Sequence, residues 1–399
     1  MIHLDFSPPQ TPFLYRSQVQ YGNFFAKRDD IVALTFKPQT LAFRLLSLIA
    51  ISGELPTAQL SRLANYDYAV KTVNKLKQQG LLYTYQRNGL RVLRLTSRGK
   101  LLLLTYDPDR FAASLTGAGD TNHIKTEISR RQRLHRVAET LVTMQNAGIF
   151  IHRDEKTDVF APDWQDAPLS LPAFYHSREI KSLGTDFVKI HNARSVGVLL
   201  TDRHIFVVYG LHTATLKWSY SAEMRIKALM KTILCRERLP HRYSPDAVRG
   251  LILANDWELA YTILSDHTGK PHFLLDGSYD HFHFLTHDHS GECLLQLLCN
   301  ETLSQQLFTS CLSAYHARHP GLPIEHDAID RDGRPVLLGC TCDLPRIHRF
   351  DSALRLQNRT GILVCFDFQQ EMLSRCCNPH MQYRVLDFHR FERSYFEPP

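Results

Sequence analysis

From Pro38 onward, apolar positions recur every three or four residues, the period of a helix with one face turned inward. In TLAFRLLSLIAISGEL, Leu41, Leu45, Leu48 and Ile49 share such a face. Pro56-Thr57 reads as the start of a second helix that points Leu60 and Leu63 inward. A third helix is predicted through NYDYAVKTVNKLKQQG and closes at Gly80, a residue suited to the left-handed turn after a helix. Val70, Val73 and Leu76 face inward on it, leaving Tyr68, Lys71, Thr72 and Lys75 outward. Two β-rich runs follow on either side of Asn88-Gly89, the strongest short hairpin signal. Arg87 and Arg91 flank the tip of that hairpin.

Beyond the spacer SLTGAGDTN the helical period returns. Leu134, Val137, Leu141 and Met144 make an apolar stripe, and Arg130, Arg131, Arg133 and Arg136 crowd the same segment. The next segments read as strands over GIFIHRD, KTDVFAP and PAFYHSREIK, a helix over TDFVKIHNA, and strands over SVGVLLT and HIFVVYG. In the last third, RGLILAND, RPVLLGC and TGILVCF are apolar strands, each running into a helical pattern. That alternation predicts an α/β domain with a partly parallel sheet.

At 399 residues the chain calls for two or three domains. The pattern divides it into an arm (1–37), a helical unit with a hairpin (38–112), a middle domain (122–245) and a last domain (248–399). Apolar and charged fractions of 44% and 22% are those of a globular protein rather than a disordered one. No apolar run approaches the roughly 20 residues that span a bilayer. The first residues lack the basic and apolar regions of a secretion signal, and the nine cysteines form no CxxC pair. These features favour reduced thiols and a cytoplasmic location. A net charge of +7 suggests a polyanionic partner where the charge clusters.

Three helices and a hairpin carry the plan of a winged helix-turn-helix, and GLL…NG…LRLTSRGK resembles the wing of that family. The resemblance implies a third helix meeting the major groove of double-stranded DNA through Tyr68, Lys71, Thr72 and Lys75. Arg87 and Arg91 would touch phosphate or the minor groove, and Arg130, Arg131 and Arg133 the backbone. A winged helix used for protein contacts is the alternative.

The middle domain places Asp158 21 residues before Glu179, with Lys181 two beyond. Residues i and i+2 of a strand share a face. Helix, three strands, helix, strand is the αβββαβ order of the restriction-endonuclease-like PD-(D/E)xK fold, which these residues resemble, although Thr157 stands where proline is common. In that reading Asp158 and Glu179 hold Mg²⁺ or Mn²⁺, Lys181 assists, and Glu139 on the preceding helix completes the site. The alternative is a salt bridge at a sheet edge. The full set of RRQRLHRVAE, SREIK, SVGVLLT and WSYSAEMRIKALMKTILCRERLP, behind a winged helix, resembles replication-relaxation-type proteins of bacterial plasmids and integrative conjugative elements. This implies recognition or processing of element DNA, alone or with other replication or transfer proteins. Metal-dependent cleavage and non-enzymatic binding both remain open.

Two further patterns stand out. His281, His283, His287 and His289 crowd into SYDHFHFLTHDHSGE, as a metal site or a His-rich hairpin. Asp256, Asp343 and Asp367 each follow an apolar strand, where ligands of open sheets bind but where helix N-caps also fall.

Overall fold

The computed structural model describes residues 37, 39–180, 194–212, 220–265, 277–318 and 320–396. Within them the chain is a multidomain mixture of helices and three sheets.

The first unit forms from local signals. The helix Leu41–Ser52 starts at Thr40, whose side chain accepts from the Phe43 amide, and stops at Gly53 with φ +84°. Strand β1 (Leu55–Pro56) and the short helix Leu60–Leu63 precede the helix Tyr66–Gln78, capped by the Asn65 side chain. On that helix Ala69, Val73 and Leu76 are buried and Val70 is only half-buried. Strands β2 (Leu82–Arg87) and β3 (Leu90–Leu95) pair with Arg87 opposite Leu90. The intervening Asn88 and Gly89 both take positive φ, 53° and 76°, as a twisted two-residue turn requires. The sheet order is β1-β3-β2, all antiparallel. Two further helices, Ser97–Tyr106 and Pro108–Leu115, close the unit against Phe43 and Phe111.

The 19-residue helix Ile128–Asn146 packs this unit onto the second sheet. That sheet comprises β4 (Ala173–His176), β5 (Gly197–Leu200), β6 (Ile205–Gly210), β7 (Val248–Ala254) and β8 (Phe282–Thr286), in spatial order. The two junctions from β4 to β6 are antiparallel, and the two from β6 to β8 are parallel. Alternate residues feed different cores: Phe206 and Val208 join the N-terminal side, Ile205, Val207 and Tyr209 the other.

Two expectations are corrected here. The segments 148–154 and 156–162 form no strand beyond a single bridge from Phe150 to Ala173; residues 153–155 are a 3₁₀ turn and Asp158 lies in the loop after it. The proline-interrupted run to Pro172 cannot keep donating to a ladder. The succession helix, three strands, helix, strand does occur, but its strands begin at Ala173. Also, β7 and β8 complete this second sheet instead of opening the last domain, because β7 pairs along its length with β6.

The third sheet runs β9 (His316–Ala317), β10 (Ala328–Ile329), β11 (Pro335–Leu338), β12 (Gly361–Phe366) and β13 (Met381–Leu386), again in spatial order. Its junctions are antiparallel, antiparallel, parallel, parallel. Helices occupy matching places in both sheets. Ile128–Asn146 and Glu301–Leu312 precede the first strand; Tyr220–Met230, continued by a π-helical stretch to Arg238, and Leu344–Leu356 join the third to the fourth. Glu258–Ser265 and Asp367–Cys376 join the fourth to the fifth, and His289–Cys299 and Phe388–Tyr395 follow it. The chain therefore uses one supersecondary plan twice.

Candidate functional site

On the helix Tyr66–Gln78, Tyr68, Lys71 and Lys75 are exposed and Thr72 half-buried, its hydroxyl donating to the Tyr68 carbonyl at 2.8 Å. Arg87 and Arg91 are exposed on the hairpin. None of these four cations meets a carboxylate among the described residues. Local geometry gives the reason: the apolar positions of the helix face the core, so its lysines fall on the outer side.

Arg131 departs from its expected role. It is fully buried, donating through Nε to the Glu54 carboxylate at 3.2 and 3.3 Å. Its other nitrogens donate to the carbonyls of Arg87 (2.7 Å) and Leu90 (3.3 Å), and its guanidinium lies 4.7 Å from the Tyr85 ring centre. Arg94, also buried, donates to Glu54 at 2.6 Å, and His135 lies 3.4 Å from it. Burial alone would raise the Glu54 pKa. The bond from His135 and the charges of Arg131 and Arg94 outweigh it and hold the carboxyl low. Arg131 therefore braces both arms of the hairpin from inside and offers nothing to a ligand. Arg130 pairs with Glu127 on the surface at 2.8 Å.

Arg133 belongs to a different group. Its pKa is lowered by desolvation and by Arg194, that of Arg136 by desolvation, Arg133 and Arg194, and that of Arg178 by desolvation and Arg133. Four guanidiniums from the helix, the end of β4 and the start of β5 thus crowd one another. None of their side chains has a carboxylate partner among the described residues. Glu139 acts on Arg136 and Glu223 on Arg194, so the four cations are only partly balanced, and the surplus positive charge suits an anion. Only Arg130, Arg131 and Arg133 carried a sequence expectation here. Arg178 and Arg194 gave no signal, because strand pairing brings them to the helix.

The expected carboxylate site divides. Glu179 sits in a helical turn, Ser177–Ile180, rather than on the strand. Its carboxylate accepts from the His176 amide at 2.7 Å, a local bond that turns the chain out of the ladder. Its charge is met by Lys156, whose buried ammonium stands 2.9 Å away and also donates to the carbonyls of Ile151 and Phe174. Asp158 pairs with Arg153. Both acids line one cleft of about 320 Å³, together with Arg110, Arg153, His176 and Arg178. Lys181 lies outside the described residues. Glu139 does not line that cleft. It is buried beside His212 (3.5 Å), its pKa raised by desolvation against the pull of His212, His135 and Arg62.

This donor set does not fit Mg²⁺ or Mn²⁺. Each carboxylate already has a cation against it, and the cleft is rimmed by arginines where a divalent ion needs excess negative charge. The three antiparallel strands of each five-stranded sheet contain no Asp, Glu or Lys.

The clustered histidines also separate. His281 bonds Asp343 at 2.6 Å, His283 the Thr341 carbonyl at 3.1 Å, and His287 the Thr143 hydroxyl at 2.8 Å. Among the described residues, His289 is the one of these histidines that joins a group of three metal-ligating side chains, with Cys293 and Glu392. Asp343 is thus a partner for histidine, and Asp256 accepts from the Leu259 amide as a helix start.

No family model, curated protein or solved structure matches the chain. Among the described residues no helix is long and apolar enough to cross a membrane.

Proposed function

We propose that this protein binds double-stranded DNA without cutting it. The observation that carries the reading is the outward face of the helix Tyr66–Gln78 with the adjoining hairpin tip. There Lys71, Lys75, Arg87 and Arg91 stand exposed with no carboxylate partner among the described residues, beside an exposed Tyr68. Helix, β1, two helices and a hairpin, with sheet order β1-β3-β2, support reading this unit as a winged helix-turn-helix. In that plan the helix before the hairpin enters the major groove. Arg133, Arg136, Arg178 and Arg194 would supply a second, cationic contact, suited to the phosphate backbone.

The second sheet, with its helix, three-strand meander, helix and parallel strand, follows an order that resembles the one expected of a PD-(D/E)xK nuclease, which supports reading it as a nuclease-like domain. Its carboxylates are neutralised by Arg153 and Lys156, which favours the non-enzymatic reading. A DNA-binding regulator or accessory factor, acting with replication or transfer proteins of a mobile element, is the role this supports; the mobile-element setting comes from the sequence resemblance.

The test is fluorescence anisotropy on a labelled duplex across a salt series. Log affinity should fall linearly with log salt, and the slope should shrink by about 0.9 for each of Lys71→Ala and Lys75→Ala. Supercoiled plasmid should stay intact with Mg²⁺ or Mn²⁺. Affinity independent of salt would refute the binding; Glu179-dependent cleavage would restore the nuclease.

A further inference from the structure

The doubled plan brings matching helices of the two repeats together, and their meeting point carries unusual chemistry. The helix His289–Cys299 follows β8 and starts at Asp288, whose side chain accepts from the Gly291 amide at 2.8 Å. The helix Phe388–Tyr395 follows β13 and starts at Asp387, which accepts from the Arg390 amide at 2.8 Å. Counted from these caps, Cys293 and Glu392 occupy the same position, each five residues on. His289 stands one turn before Cys293 on the same helix face.

The donor atoms of His289, Cys293 and Glu392 all lie within 4.8 Å of one another. The His289 Nε2 to Cys293 Sγ separation is 3.8 Å. Two such ligands on a tetrahedral zinc ion would stand about 3.5 Å apart, so this pair closes by only a few tenths of an ångström, while His289 and Glu392, now bonded to each other, part to admit the ion. His389, one turn before Glu392, has its Nδ1 3.6 Å from the Glu392 carboxylate and is exposed enough to rotate.

We propose that His289, Cys293 and Glu392 bind a zinc ion, with His389 as the fourth ligand, clamping together the terminal helices of the two repeats. Thiolate, imidazole and carboxylate in one cluster select zinc over the hard cations, which prefer oxygen alone. The scaffold holds the ligands in place. Phe388 and Phe391 are buried against Phe366, with ring centres 5.5 and 4.9 Å away, fixing the rotation of the last helix. Cys293 is buried and His289 exposed, so the ion reaches its site directly from solvent.

The experiment uses the full chain, desalted after loading with zinc, and separately with cobalt. Wild type should retain one zinc per chain and melt at higher temperature. Its cobalt form should show visible tetrahedral d–d bands and a near-ultraviolet thiolate charge-transfer band. Cys293→Ser should abolish the charge-transfer band, and Cys293→Ser and Glu392→Gln should each weaken zinc at least tenfold. His289→Ala changes an exposed side chain and should weaken zinc with the far-ultraviolet circular dichroism unaltered, which separates metal loss from misfolding. The site is overturned if wild type retains no stoichiometric zinc, or if retention is unchanged in these variants.

Discussion

Arg131 and Arg133 stand two residues apart on one helix, and the sequence assigns both to the DNA backbone. The structure separates them. Replacing Arg131 by Met removes both contacts to Glu54 and the donors that hold the carbonyls of Arg87 and Leu90. Breaking a buried ion pair from one side costs about 3–5 kcal/mol. Arg94 and His135 stay on Glu54, and the hairpin carbonyls lie near solvent, which sets the expected loss near the lower end, about 3 kcal/mol. At about 2–4 °C per kcal/mol, the melting temperature should fall by about 6–12 °C. Arg133→Ala removes an exposed cation with no carboxylate to leave behind, and stability should stay within about 0.5 kcal/mol. Its effect belongs to binding, a drop in the salt slope of about 0.9. Urea unfolding and the duplex salt series, run on both variants, read the two effects independently. An Arg131→Met protein as stable as wild type but with a shallower salt slope would refute the assignment, as would an Arg133→Ala protein that unfolds early and binds normally.

Two other outcomes follow from the same geometry. Glu179→Gln leaves the Lys156 ammonium buried opposite a neutral group and should destabilise by about 1–3 kcal/mol, less than a fully buried pair because Glu179 is partly exposed. Adding Lys156→Met should recover part of that loss in urea unfolding, which a catalytic role for Glu179 would not predict. The second concerns pH. Burial is the main cause that pushes the His283 pKa down to about 4, and Arg249 adds to it against the pull of Asp343. The unfolded imidazole titrates near 6.5, so between about 6.5 and 4 the unfolded chain binds the extra proton. Stability is complete above that window and is lost as pH falls through it, by about 2 kcal/mol at pH 5 from this residue alone. His283→Asn should reduce the stability difference between pH 7.5 and pH 5 by that amount; an unchanged difference would place the titration elsewhere.

The sequence by itself determined what short-range physics decides. Asn88-Gly89 fixed the hairpin and its register because both residues tolerate positive φ. The apolar period and the Asn65 cap set the helix Tyr66–Gln78 and left Lys71 and Lys75 outside. β5, β6, β11 and β12 announced themselves as apolar runs. Tertiary structure decided everything that depends on a distant partner. Arg131 is buried because Glu54, 77 residues earlier, receives its charge. Glu179 left the strand because its own carboxylate found the His176 amide and Lys156, a choice the ExK spacing cannot reveal. The repeat is invisible in sequence because its strands, such as GVLL and AI, share only pairing geometry, which backbone hydrogen bonds enforce whatever the side chains. His289 and Glu392, 103 residues apart, meet because each lies on the helix that follows the fifth strand of its own sheet.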